Sequence, residues 1–273
     1  MSVLLVVVLM LLVLAGRELV TPAIKRMVSQ PMRLGVDALL RIGEASRQPG
    51  VLVLALVSIG PILPVLLLLH AFSGGGVEAF WSFLLTLAIT LPVFMDRRLP
   101  SVLENSRKQW LDSVTLDNMK ERLAQSRSEL LITTLQELFS PLFWLIFLGP
   151  AASLFYYLVR CCDEQIIAPE TGKFARKLRF WLDWLPSRAL AISFALAGDF
   201  LSVWQYLQLS LTERRSSIAS FIAEAGQLAE HSLMNQSLET PIDMVRQLAH
   251  IDSLCQRVLG LWVVVMVLHA VLP

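Results

Sequence analysis

The chain is poor in charge. Asp, Glu, Lys and Arg make up 16% of its 273 residues, against about 25% in a typical soluble domain, so the deficit falls on the residues that face water. Lysine plus arginine number 23 and aspartate plus glutamate 22, a net charge of +1. That balance supplies no basic field for nucleic acid, and no aromatic-basic interleaving makes up for it. Cysteine is scarce: Cys161, Cys162 and Cys255 form neither a disulfide framework nor a Cys-x-x-Cys pair. The four histidines, His70, His231, His250 and His269, stand without metal-ligand spacing, so neither a metal nor a cofactor is expected. Phosphate-binding loops are missing too. The run Ser73-Gly74-Gly75-Gly76 is followed by no Gly-Lys-Ser/Thr, and Thr171-Gly172-Lys173 has Ile167 where the motif needs its first glycine.

What the chain has is apolar runs. Hydrophobic residues are 55% of the sequence and the mean hydropathy is +0.63, which points to lipid as a major solvent for the fold. Six apolar segments stand out, at residues 2–16, 51–72, 77–95, 138–159, 189–211 and 258–272. The first reaches about 22 Å as a helix, short of a ~30 Å hydrocarbon core. It lacks the basic start of a signal peptide, which makes it a short uncleaved anchor. Pro61 and Pro64 are expected to kink the second. Only residues 73–76 separate it from the third, so the pair reads as a helical hairpin. In the fourth, Pro141 lies near the start, where proline costs little, and Gly149-Pro150 breaks or kinks the middle.

The polar stretches carry helical patterns. Thr240-Pro241-Ile242-Asp243 reads as an N-cap, a proline at the first helical position and an acid three residues after the cap. Ile242, Val245, Leu248, Ile251 and Cys255 then share one face, and Leu116, Met119, Leu123, Leu130 and Leu131 sketch a weaker stripe. Both are read as packing faces. No repeat, low-complexity tract or linker is visible. The expectation is an all-α, polytopic helical membrane protein, one domain over residues 1–273. It has four to six membrane-embedded segments, with kinked or re-entrant helices and cytoplasmic amphipathic helices.

Basic residues mark cytoplasmic loops. They crowd residues 17–50 and 97–127 and are absent from 73–76, which puts the N-terminus outside and the first long loop inside. The stretch 160–188 is also basic, with Arg160, Lys173, Arg176, Lys177, Arg179 and Arg188. A full span before it would place it outside. Two resolutions stand: segment 138–159 is re-entrant, its irregular backbone buried in protein, or the apolar piece after 188 does not cross.

Several short motifs occur in a fixed order: Pro141-Leu142-Phe143-Trp144 with Gly149, then Asp183-Trp184-Leu185-Pro186-Ser187-Arg188, then Ala195-Leu196-Ala197-Gly198. In this order they resemble the AmpE/CobD(CbiB) family of inner-membrane proteins, over roughly residues 129–204. Glu239-Thr240-Pro241 ahead of a final apolar helix is also similar to the AmpE branch. The resemblance implies a bacterial inner-membrane, multi-pass location. It treats Pro141, Leu142, Phe143, Trp144, Gly149, Trp184, Pro186 and Gly198 as structural motif positions.

The CobD/CbiB branch consists of ATP-dependent, amide-forming enzymes of cobamide biosynthesis, whose site needs acids for magnesium. The resemblance implies a Glu-Asn-x-x-Asp-Gly run where this chain has Ile132-Thr133-Thr134-Leu135-Gln136-Glu137. Ile132 stands in place of the acid, and Gln136 offers only a neutral carbonyl. The metal site is thus dismantled, and the AmpE branch implies a non-catalytic regulatory protein linked to β-lactamase regulation and cell-wall fragment signalling. Its expected partners are the bilayer and either a protein or a cell-wall-derived ligand.

Glu137, Asp163, Asp183, Arg188 and Asp199 are the candidate residues of a polar cavity. Two have simpler readings: Arg188 as an arginine that snorkels to the interface, and Asp199 as a cap between two helices, after Gly198 ends the first. A small transporter is the third functional class, with Gly149-Pro150 and Gly198-Asp199 as half-helix breaks around a midplane acid. The tryptophans Trp81, Trp144, Trp181, Trp184, Trp204 and Trp262 fall near segment ends, as interfacial aromatics do. Cys161 and Cys162 are read as buried, with no base to activate them.

Overall fold

A computed structural model describes residues 22–45, 50–71, 77–95, 119–164, 169–210, 217–230 and 241–271. The apolar segment 2–16, the turn 73–76 and Thr240 lie outside these residues. Every described element is helical, with no strand among them. The elements are α1 (Pro22–Ala45), α2 (Gly50–Ile59), α3 (Ile62–Ala71), α4 (Val77–Met95), α5 (Met119–Thr134), a π-helical turn (Leu135–Phe139), α6 (Ser140–Leu148), α7 (Pro150–Glu164), α8 (Pro169–Ala197), α9 (Phe200–Ser210), α10 (Ile218–Ala229) and α11 (Pro241–Val271). Four of these helices open on proline, whose missing N–H is spare in a first helical turn. The proline expected to open the last helix, Pro241, is among them. Among the described residues, two stretches are long and apolar enough to cross a membrane, Glu121–Leu148 and Val245–Leu268.

The chain divides into two compact units. One comprises Met1–Arg97, Ser140–Leu182 and Met266–Pro273, the other Arg98–Phe139 and Asp183–Val265. The first unit is organised around α7, against which α1, α2, α3, α4 and α6 pack. That central position explains why the second half of α7, from Tyr156 to Cys162, is buried on every side. The chain reaches α7 through Gly149, whose φ of +85° is a conformation that L side chains rarely adopt. Outward, α2 and α3 expose Leu52, Leu56, Ile59, Leu63, Leu66 and Leu67, an apolar surface of the kind that a lipid solvent tolerates.

The second unit rests on close helix approach. Ala225, Gly226 and Ala229 on α10 are buried, and α10 packs on α5 and α9. A Cβ added at Gly226 would sit 2.9 Å from Leu131 Cδ1. Small residues at such a seam let backbones approach, which matters where lipid removes the hydrophobic drive between helices. The predicted stripe on α5 is buried at Leu123, Leu130 and Leu131; Leu116 lies outside the described residues. On α11, Leu248, Ile251 and Cys255 are buried, joined by Leu254 and Val258.

Two expectations are corrected here. Residues 169–188 are not a loop: they form the first part of the continuous helix α8. Trp262 is not interfacial: it is buried, stacks edge-on against Phe139 at 5.9 Å and donates its indole N–H to Ser193 Oγ at 2.9 Å.

Proline explains two local features. Pro186 lies inside α8 and has no N–H for the carbonyl four residues back, that of Leu182. The Trp144 indole N–H donates to that carbonyl at 3.2 Å. The two motif positions thus answer one another: one frees an acceptor, the other satisfies it. Pro141 likewise cannot bond the Glu137 carbonyl, and the π turn Leu135–Phe139 widens the helix just there, as π bulges do where the regular ladder is broken.

Candidate functional site

In the second unit, the π turn and the middle of α8 place polar groups in an apolar interior. Glu137 on the turn is 5% exposed, Asp183 2% and Arg188 5%. The widened turn re-aims its side chains, and Gln136 Nε2 donates to Asp183 Oδ2 at 3.3 Å. An amide of the π turn therefore meets the Asp183 carboxylate of α8. Arg188 lies five residues on along α8. Its guanidinium carbon is 4.7 Å from the Trp184 ring centroid and 4.4 Å from that of Phe221 on α10. Its Nη1 donates to Ser187 Oγ at 3.1 Å, while the Ser187 hydroxyl donates to the Trp184 carbonyl at 2.7 Å. Tyr206 of α9 tilts against Phe221 at 5.7 Å, extending the aromatic wall. Arg188 is therefore not a snorkelling surface residue. It is a desolvated cation held between two π faces.

Asp199 does not join this group. It is exposed at the far end of α8, where its carboxylate accepts the Leu201 and Ser202 backbone N–H groups at 3.1 and 3.3 Å and the Ser202 hydroxyl at 2.7 Å. It is the N-cap of α9. Gly198 beside it is tightly placed: a Cβ there would lie 2.5 Å from the Ala229 carbonyl oxygen. The same junction holds Arg257, which donates to the Ala197 carbonyl at 2.7 Å and pairs with the buried Glu230.

Asp163 belongs to the first unit. It accepts from Arg179 at 2.6 Å, an ion pair between α7 and α8. Its neighbour Glu164 pairs with Arg160 at 3.3 Å and with Arg33 of α1 at 3.2 Å. Burial pushes the thiol of Cys161 up to about 11 and that of Cys162 up to about 12, so these cysteines, which follow segment 138–159, are held as thiols.

Sequence reasoning missed two buried polar links. Arg127 Nη2 donates to Gln247 Oε1 at 3.2 Å between α5 and α11, and Glu230 is buried at the α8–α9 junction. The first was open to detection: Gln247 stands four residues before Ile251 and seven before Leu254, on the same helical stripe. The second had no local signal, because Arg257 lies far along the chain. Among the described residues, no three His, Cys, Asp or Glu side chains converge as a metal site requires.

A family model described as the regulatory signalling modulator protein AmpE matches residues 110–272. No curated protein and no solved structure gives a significant match to the chain.

Proposed function

The chain belongs to the AmpE family, and we propose that it is a non-catalytic, multi-pass regulatory protein of the bacterial inner membrane, with residues 1–273 acting as one membrane domain. The cluster of Gln136, Glu137, Asp183 and Arg188 is its recognition site, for a cell-wall-derived ligand or a protein partner. Its output bears on β-lactamase induction.

One observation carries this reading: Gln136 donates to Asp183 where a cation-binding enzyme needs a second acid. An amide and a carboxylate can orient a polar ligand, and a ring-held arginine can meet its anionic group. They do not together hold a nucleotide's magnesium. The family's description as a signalling modulator supports the same direction.

The test uses full-length protein in cells that carry a β-lactamase induction reporter. Arg188→Ala is expected to alter the response to a cell-wall-active antibiotic at a membrane level equal to wild type, and Arg188→Lys to restore part of it. Equal responses in all three would remove the cluster from signalling. Purified protein offered ATP, magnesium and a corrinoid acid is expected to give no product. Turnover that Glu137→Gln abolishes would make the chain an amide-forming enzyme instead.

A further inference from the structure

Two helices of the second unit, α8 and α11, change surface polarity along their length. On α11 the outward residues before Val258 are polar, with Arg246, Ser253, Gln256 and Arg257 exposed; after it, Val264 and Val265 are exposed instead. On α8 the outward residues Ile192 and Leu196 are apolar, and the helix then stops at exposed Gly198 and Asp199. Two contacts put these helices in register. Trp262 bonds Ser193 at 2.9 Å, and Arg257 bonds the Ala197 carbonyl at 2.7 Å. The helices therefore run antiparallel, and both change from apolar to charged surface at one level, defined by Arg257, Glu230 and Asp199. Two independent surfaces switching polarity together are what a bilayer edge requires.

Helix α9 begins at that level. It has 11 residues, about 16 Å of helix against a ~30 Å hydrocarbon core. Its inner face, Val203, Leu207 and Ser210, is buried where it packs on α10. Its outer face exposes Phe200, Leu201, Trp204 and Leu209, with the Phe200 and Trp204 rings stacked at 5.7 Å and Gln205 and Gln208 among them. The neighbouring α10 does the opposite and turns Ser217, Ser220, Glu224 and Gln227 outward. Two adjacent short helices with opposite outward chemistry suit a boundary, one facing lipid and the other water.

We infer that α9 is an in-plane helix of the membrane surface, its Phe200–Leu201–Trp204–Leu209 face seated among lipid headgroups and upper acyl chains, and that α9 itself does not cross the bilayer. Asp199 suits this placement. Its carboxylate caps α9 at headgroup depth, where an ionised acid carries little penalty, whereas at mid-bilayer it would carry several kcal/mol. Trp204 and Phe200 supply the amphipathic aromatic anchor that interfaces favour.

Depth measurement decides the matter. The full chain would be placed in phosphatidylethanolamine–phosphatidylglycerol vesicles with a nitroxide at Leu201→Cys, Gln205→Cys, Gln208→Cys or Leu209→Cys. The parent, whose three cysteines are buried, gives the background. The accessibility of each label to oxygen and to a water-soluble nickel chelate gives its depth. All four labels are expected about 5–10 Å below the phosphate plane, with ends at equal depth. Three results overturn the inference. A difference of about 12 Å between positions 201 and 209, at 1.5 Å per residue, means a crossing helix. Full access to the nickel chelate means a helix in water. Shielding from both reagents means a protein-covered face. The two glutamine positions keep the test intact should a leucine replacement misfold.

Discussion

Arg160 and Arg188 are both arginines sunk into helix interiors, yet their surroundings differ in kind. In the first unit, Arg160 is 1% exposed and meets Glu164, which Arg33 also reaches; next to them Asp163 meets Arg179. Charge there is answered by opposite charge. In the second unit, the Arg188 cation meets ring faces, the Asp183 carboxylate meets the Gln136 amide, and Arg127 meets the Gln247 amide. Amides and rings orient these buried charges, while Glu230 pairs with Arg257 at the α8–α9 end of the same unit. The difference separates two jobs. Ion pairs around α7 join helices, whereas the amides and rings around Asp183 and Arg188 carry the proposed recognition cluster.

The hardest test of that division removes the shared anion. Glu164→Ala leaves the Arg160 guanidinium buried without its acid, and a broken buried pair of this kind is worth about 3–5 kcal/mol. Reversible unfolding of purified protein should lose about that much stability. The induction response per folded molecule should stay unchanged. A loss below about 1 kcal/mol, the range of an exposed pair, would mean that the ion pairs are not what holds the first unit.

The complementary change is smaller in stability and larger in function. Gln136→Leu keeps the size of the side chain and withdraws the donor to Asp183, which costs about 1–3 kcal/mol when a buried acceptor loses its bond. The reporter response should change while Glu164→Ala leaves it alone. If the two variants exchanged their effects, the assignment of structure to one unit and recognition to the other would be reversed.

Helix placement was legible wherever the sequence supplied punctuation. Pro241 opens α11, Gly149-Pro150 divides α6 from α7, and Gly198-Asp199 ends α8. The candidate residues Glu137, Asp183 and Arg188 were found because they lie close to the motif positions along the chain, and all three are buried. What stayed hidden was whatever depends on partners distant in sequence. Arg188 at the end of a basic stretch carries no mark of the Phe221 ring that covers it. Basic residues on one face of α8 imitate a loop, because Lys173, Arg176 and Lys177 are exposed while Ala175 between them is buried. Nor does local sequence announce the π turn; it follows from Pro141, whose missing N–H widens the helix before it.

The smallest expected effect separates a cap from a membrane-depth acid. Asp199→Ala removes the acceptor of two backbone N–H groups and a hydroxyl, a change worth about 1 kcal/mol, whereas asparagine caps nearly as well as aspartate. Amide exchange at Leu201 and Ser202 should therefore quicken in the alanine variant and stay close to wild type in Asp199→Asn. Under a transport mechanism the order is different, since the charge itself would be needed and asparagine would be as damaging as alanine. Vesicle flux measured on the same two variants makes the comparison direct. Equal, background-level flux with unequal amide exchange leaves Asp199 as a helix cap, because only backbone capping distinguishes a neutral amide from a methyl group at that place.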